Sequence, residues 1–334
     1  MRAAIVDQPG SIRVGEVPDP APGERQVVIR VGATGICGTD LHIADGHFPP
    51  TPYPIVPGHE FAGEIVELGP DVPGGWKVGD RVAVDPSLFC GYCDPCRAGH
   101  GNLCENWGAT GDTVDGAFAE YVAVPSANCY RLPDHLSWQA GALVEPVSCA
   151  VHGVRRIGVE AGERFLVVGA GTMGLIMQQL LQRAGARVTM VDRNTARLPR
   201  AKDLGAHAVA GDVSALDGER FDASVDCTGA APAMEAAFEA LRRGGRFLVF
   251  GVAPAEARIA LSPFRIYNDE ITVVGSMAVL HSYGAALDLV GSGALNTRAL
   301  LTDALPLEKF PDALDLMRSG AGLKVQVLPG GTDA

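Results

Sequence analysis

The chain has 334 residues, 47% of them hydrophobic and 20% charged, which is enough apolar material for two domains with cores of their own and argues against a disordered polymer. Its formal net charge is -12, and its lysines and arginines are scattered, so it offers no electrostatic footprint for a nucleic-acid backbone or an anionic lipid surface. The opening MRAAIVDQPGS has no apolar targeting core, and no apolar run approaches the roughly 18 residues of a membrane span. The expectation is a cytoplasmic protein with neither nucleic acid nor membrane as partner.

Up to about residue 150 the chain reads as short β-like segments, at 27–33, 64–68, 81–84 and 120–124, rich in β-branched residues and separated by turn signals such as Pro-Gly and Gly-Asp. This texture predicts a small, loop-rich β domain. Scattered through it are ligand-type residues: Cys37, His59, Glu60 and Glu145. Between them, Cys90, Cys93, Cys96 and Cys104 follow the spacing C-x2-C-x2-C-x7-C, and their thiolates could close a tetrahedral zinc shell. Such a shell has no open coordination position, so its zinc is structural. The even total of eight cysteines also admits a disulfide framework, but a chain this long without an export signal has little need of such staples. Cys129, Cys149 and Cys227 lie in apolar surroundings and read as small buried hydrophobes.

From residue 164 the pattern becomes a strand at 165–168, a helix at 173–184, a strand at 188–191, a helix at 195–204 and later strands at 223–226, 247–250 and 271–274. Alternating strands and helices predict an α/β domain with a doubly wound parallel sheet. Helices at 283–290 and 307–319 and a strand at 324–328 close the chain. Directly after the first of these strands comes Gly169-Ala170-Gly171-Thr172-Met173-Gly174, a G-x-G-x-x-G at the start of a helix. Glycines there let a pyrophosphate approach the backbone, and the helix amino terminus supplies N–H groups and positive potential. Asp192 ends the next strand, where a carboxylate would accept hydrogen bonds from an adenosine ribose and repel a 2'-phosphate, favouring NAD. Arg193 and Arg197 are the residues that could instead accommodate that phosphate, as NADP requires.

Several motifs now stand in one order: Gly35-Ile36-Cys37-Gly38-Thr39-Asp40-Leu41-His42, Pro57-Gly58-His59-Glu60, the four-cysteine lobe, Gly116-Ala117-Phe118-Ala119-Glu120-Tyr121, Val144-Glu145-Pro146 and the glycine fingerprint. Over nearly its whole length the chain resembles the zinc-containing medium-chain dehydrogenases, and within them the polyol (sorbitol-like) and threonine dehydrogenase branch.

The resemblance implies a GroES-like β-rich catalytic domain at 1–147, completed by 286–334, and an inserted Rossmann domain at 148–285, with a catalytic zinc in the cleft between them. It makes Cys37 and His59 zinc ligands, Glu60 and Glu145 carboxylates that reach the metal directly or through water, and Asp40 the acceptor that orients His59. Two zinc ions per chain follow, one catalytic and one structural. A zinc-activated secondary alcohol would pass hydride to the nicotinamide, while its proton left through Thr39, the cofactor ribose and His42. Sorbitol-type relatives carry an Arg-Tyr pair where Met277 and Ala278 fall here, whereas the Gly-Thr-Asp-Leu-His-Ile run is shared with threonine dehydrogenases; both readings stay open. Phe48, Phe89 and Trp107 lie on loops that line the substrate site in relatives. Gly38 stands where liver-type enzymes place a cation against the pyrophosphate, and Lys324 is the candidate replacement. Relatives pair their cofactor domains through the strand near 271–274, so a homodimer or homotetramer is expected. A zinc-ribbon or RING-like binding module would leave most of these motifs unexplained, and metal-free quinone-reductase relatives lack the Cys37–His59 pair.

Overall fold

The computed structural model describes residues 1–331. The described chain divides into two compact units: Met1–Ser148 together with 279–331, and Cys149–Ala278. Among the described residues no helix is long and apolar enough to cross a membrane.

The first unit is built on the strand Gln26–Gly35, whose β-branched residues alternate into the core. Val27, Ile29 and Val31 meet Phe61, Ile65, Val82, Val84, Val122 and Val124 from neighbouring strands. The sheet runs Leu301–Pro306, Lys324–Leu328, Gln26–Gly35, Glu60–Leu68, Arg81–Val84 and Cys129–Arg131, with Tyr121–Pro125 also paired to Gln26–Gly35. The closing strand Lys324–Leu328 is buried throughout and sets Gln326 opposite Gly35. An amino-terminal hairpin, Arg2–Gln8 with Ser11–Glu16, escaped the sequence reading because its second strand is only half buried and shows no clean alternation. The strand expected at 64–68 begins at Glu60, so Glu60 is a strand residue.

Residues 279–285, expected in the cofactor domain, pack with the first unit instead. Ser282 and Ser148 share a hydroxyl–hydroxyl hydrogen bond of 2.8 Å, and the buried Tyr283 hydroxyl donates to the Val84 carbonyl at 2.7 Å.

The second unit holds six parallel strands in the order Ala208–Ala210, Arg187–Val191, Arg164–Val168, Phe221–Asp226, Leu241–Val249 and Thr272–Gly275. Numbered within the unit this is 3-2-1-4-5-6, the Rossmann arrangement, and the winding reverses beside Arg164–Val168, the strand that leads into the glycine fingerprint. The helix expected at 195–204 is a short 3-10 turn, Thr195–Arg197, followed by the α-helix Leu198–Asp203. Pro199 explains the break: it fits the first turn of a helix but has no N–H to continue one from upstream. Pro311 divides the expected 307–319 helix in the same way, into Leu307–Lys309 and Phe310–Ser319.

Candidate active site

Cys37 follows the Gln26–Gly35 strand and caps the helix Gly38–Asp45; its backbone N–H donates to Asp40 Oδ2 at 2.8 Å, completing a capping box. His59 and Glu60 open the adjacent strand, where the register sets Glu60 opposite Gly35. A Cβ on Gly35 would lie 2.2 Å from Glu60 Oε2, so this glycine makes room for the carboxylate to lie across the strand. The result gathers Cys37 Sγ, an imidazole nitrogen of His59 and a carboxylate oxygen of Glu60 within 4.8 Å of one another. His59 is 6% exposed and Glu60 1%. Glu145, at the start of the helix Val144–Ile157, is buried but stands outside this group.

Two supports of the group were not foreseen. Lys324 is neither at a surface nor free for a phosphate: it is 2% exposed, and its Nζ donates to Glu60 Oε1 at 2.9 Å, Glu60 Oε2 at 2.6 Å and the Ile36 carbonyl at 3.0 Å. Burial alone would lower its pKa, but Glu60, with Cys37 and Glu145 adding to the field, holds it above the ordinary lysine value. The second support is Asp112. His59 Nδ1 lies 3.0 Å from Asp112 Oδ1 and 3.8 Å from Asp40 Oδ1, so the orienting carboxylate expected at Asp40 is the farther of the two. Asp40 is held back by its duty to the Cys37 amide. Burial lifts the Asp40 carboxyl to about 7 against the opposing pull of His59, and the two aspartates outweigh burial to hold His59 well above its ordinary value.

The donor set fits zinc: thiolate, imidazole and carboxylate are its usual ligands. The charge balance fits as well. Cys37, Glu60, Asp40 and Asp112 crowd one imidazole and one lysine, and the inner atoms His59 Nδ1, Asp40 Oδ1 and Asp112 Oδ1 complete no well-aligned hydrogen bond. A bound cation would favour the charged forms of the acidic groups gathered here.

Thr39 and His42 lie on the helix behind Cys37, three residues apart and therefore on one face. Both are partly exposed, with Thr39 Oγ1 3.9 Å from Cys37 Sγ. Phe48 packs with Val6, Ile43 and Ile55, an ordinary loop contact, whereas Phe89 is exposed.

In the lobe, the four sulfurs of Cys90, Cys93, Cys96 and Cys104 also lie within 4.8 Å of one another. Backbone N–H groups of Cys90 and Asn106 donate to Cys104 Sγ at 3.3 Å each, and that of Cys93 to Cys90 Sγ at 3.4 Å. Such donors favour thiolates, the form that binds zinc.

In the second unit Gly169 takes φ +105, and a Cβ on Gly174 would lie 1.7 Å from the Gly169 carbonyl oxygen, so both glycines are demanded by the fold itself. Gly171 is different. A Cβ there would meet nothing nearer than Arg197 Nη1 at 3.8 Å, leaving open space over the start of the helix Thr172–Arg183 where a pyrophosphate would sit. Thr172 and Met173 form the first turn of that helix. Asp192 Oδ2 accepts from the Ala170 amide at 2.7 Å and Oδ1 from the Asn194 amide at 2.8 Å, which pins the carboxylate beside the loop. Arg197 Nη1 is 3.8 Å from Asp192 Oδ2, while Arg193 is exposed.

Family comparison agrees with both units. Residues 23–134 match the alcohol dehydrogenase GroES-like domain and residues 172–292 the zinc-binding dehydrogenase domain. The chain is 35% identical to D-arabinitol dehydrogenase 1 of Uromyces fabae, over 98% of this chain and 97% of that one. It belongs to the zinc-containing medium-chain dehydrogenases. This dehydrogenase is also 36% identical to D-altritol 5-dehydrogenase of Agrobacterium fabrum, covering 98% of this chain and 99% of the relative. Among solved structures, a zinc-binding dehydrogenase from Sinorhizobium meliloti 1021 bound to NADP superposes with a TM-score of 0.94 at 35% identity, covering 98% of this chain and 99% of that one. The chain is therefore a zinc-dependent alcohol oxidoreductase.

Proposed function

We propose that the enzyme oxidises a secondary hydroxyl of a polyol or sugar alcohol with NAD, at a zinc held by Cys37 and His59 with a carboxylate from Glu60 or Glu145. The observation that carries this reading is the group of half-buried Cys37 and buried His59 and Glu60 within 4.8 Å, in a chain whose relatives include D-arabinitol and D-altritol dehydrogenases. Zinc in such a site supplies Lewis acidity, lowering the pKa of a bound alcohol toward neutrality. The protein's own residues do the rest. Lys324 neutralises Glu60 and holds it in place, while Thr39 would take the departing proton on its hydroxyl oxygen as it gives up its own, which the cofactor ribose and His42 would carry toward solvent. The helix amino terminus at Gly171 holds the pyrophosphate, and Asp192 accepts from the adenosine ribose. Cys90, Cys93, Cys96 and Cys104 hold a second, structural zinc.

NAD is preferred because the Asp192 carboxylate faces Arg197 as an ion pair, leaving that arginine partly neutralised against a 2'-phosphate. Assembly as a homodimer or homotetramer is supported by the strand Thr272–Gly275, which lies at the sheet edge with Val273 exposed.

The test follows reduced-nicotinamide absorbance on zinc-loaded enzyme with NAD or NADP against polyols, sugars, simple alcohols and L-threonine. Turnover on polyols with NAD is the expected result. Turnover on L-threonine alone would favour the second reading, whose support is the run Gly38-Thr39-Asp40-Leu41-His42-Ile43.

A further inference from the structure

We propose that Asp112, rather than Asp40, is the positioning carboxylate that orients His59 as a metal ligand; the inference rests on the zinc reading above. A zinc-bound histidine needs an acceptor at its second ring nitrogen, which fixes the ring and raises its basicity. Two buried carboxylates compete for that place: Asp112 Oδ1 is 3.0 Å from His59 Nδ1, at hydrogen-bonding distance though not aligned for one, and Asp40 Oδ1 is farther off, at 3.8 Å. Moving Asp40 closer would break its 2.8 Å bond from the Cys37 amide and loosen the start of the helix that presents Cys37.

The backbone around Asp112 is built to hold it against His59. Gly111 has φ +88, and a Cβ on either Gly111 or Gly116 would lie 2.3 Å from the Gly58 carbonyl oxygen. These two glycines let the segment lie directly on the residues that precede His59. Three amides then stitch the segments in register: Gly116 donates to Val56 O at 2.7 Å, Ala117 to Gly58 O at 2.9 Å and Phe118 to Pro57 O at 2.9 Å. Asp112 itself is anchored through its backbone, its carbonyl accepting from Thr51 Oγ1 at 2.8 Å and its amide donating to Ala109 O at 3.1 Å. The side chain is thereby left to face the imidazole.

The experiment is competition for zinc with a chromophoric chelator, together with cobalt absorption spectra, on the full-length protein and its Asp112→Asn, Asp112→Ala, Asp40→Asn and Cys37→Ala variants. The metal in the four-cysteine lobe reports that each variant is folded. Asp112→Asn keeps the size of the side chain and removes its charge. It should weaken metal binding at the Cys37–His59 site by about 10–100-fold and shift the cobalt bands while the lobe metal is retained. Asp40→Asn should weaken that site less and lower the melting temperature. Wild-type affinity in both Asp112 variants, or a larger loss in Asp40→Asn, would overturn the proposal. A wild-type protein that binds one metal, or a Cys37→Ala variant that still binds two, would instead overturn the zinc reading on which it rests.

Discussion

The four-cysteine lobe and the Cys37–His59–Glu60 group gather similar donors by opposite means. The lobe draws its sulfurs from one short stretch, so local turns and a four-residue helix, Asp94–Arg97, are enough to bring them together. The other group draws on a helix cap, a loop end and a strand start, and is held by Asp112 and Lys324 from two further segments. A locally built shell is closed and inert, whereas one assembled by tertiary contacts can leave a coordination position open and surround it with groups that tune it.

The contrast predicts that damage to the two sites separates activity from stability. The largest effect should come from Cys37→Ala, with kcat/KM falling by about 10³-fold or more as the Lewis acid is lost, and with little change in the thermal melt. Cys93→Ala should do the reverse. Loss of a structural metal belongs among the large destabilisations, about 4 kcal/mol, or roughly 8–16 °C in Tm, with freshly purified enzyme still turning over. Lys324→Met would sharpen the comparison, because it leaves the buried Glu60 carboxylate without its cation; urea unfolding should show a loss of about 3–4 kcal/mol, and Lys324→Arg should recover part of it. The smallest effect belongs to Asp192→Asn in the second unit, where kcat/KM with NAD should fall about tenfold or more relative to NADP in steady-state assays.

How much of this could be read from the sequence follows the same division. The lobe and the glycine fingerprint are contiguous, so spacing alone exposed them. The Rossmann sheet followed from alternating apolar strands and helices, with an error where Pro199 splits a helix; Pro311 splits another in the first unit. Cys37, His59 and Glu60 were noted as ligand-type residues but joined into one site only through resemblance, since nothing local marks them as neighbours. Asp112 was beyond reach because its place depends on glycines packing against the Gly58 backbone, and Lys324, though named, was given the wrong partner because its contact with Glu60 depends on a strand that returns from the far end of the chain. An aspartate in a glycine-rich turn and a lysine opening a strand look like surface residues until those contacts are seen. The signal for Lys324 was present in its apolar neighbours, since a lysine opening the strand KVQVL shares its burial. Glu145 is the converse: its motif matched, yet it stands outside the three-residue group.

The most direct test of zinc-dependent polyol oxidation is to follow NAD reduction with D-arabinitol and related polyols on enzyme stripped of its more weakly held metal by a chelator, and again after zinc is restored. Turnover should disappear with about one zinc per chain and return with it, while the lobe metal stays bound. Undiminished turnover with the Cys37–His59 site empty would contradict it.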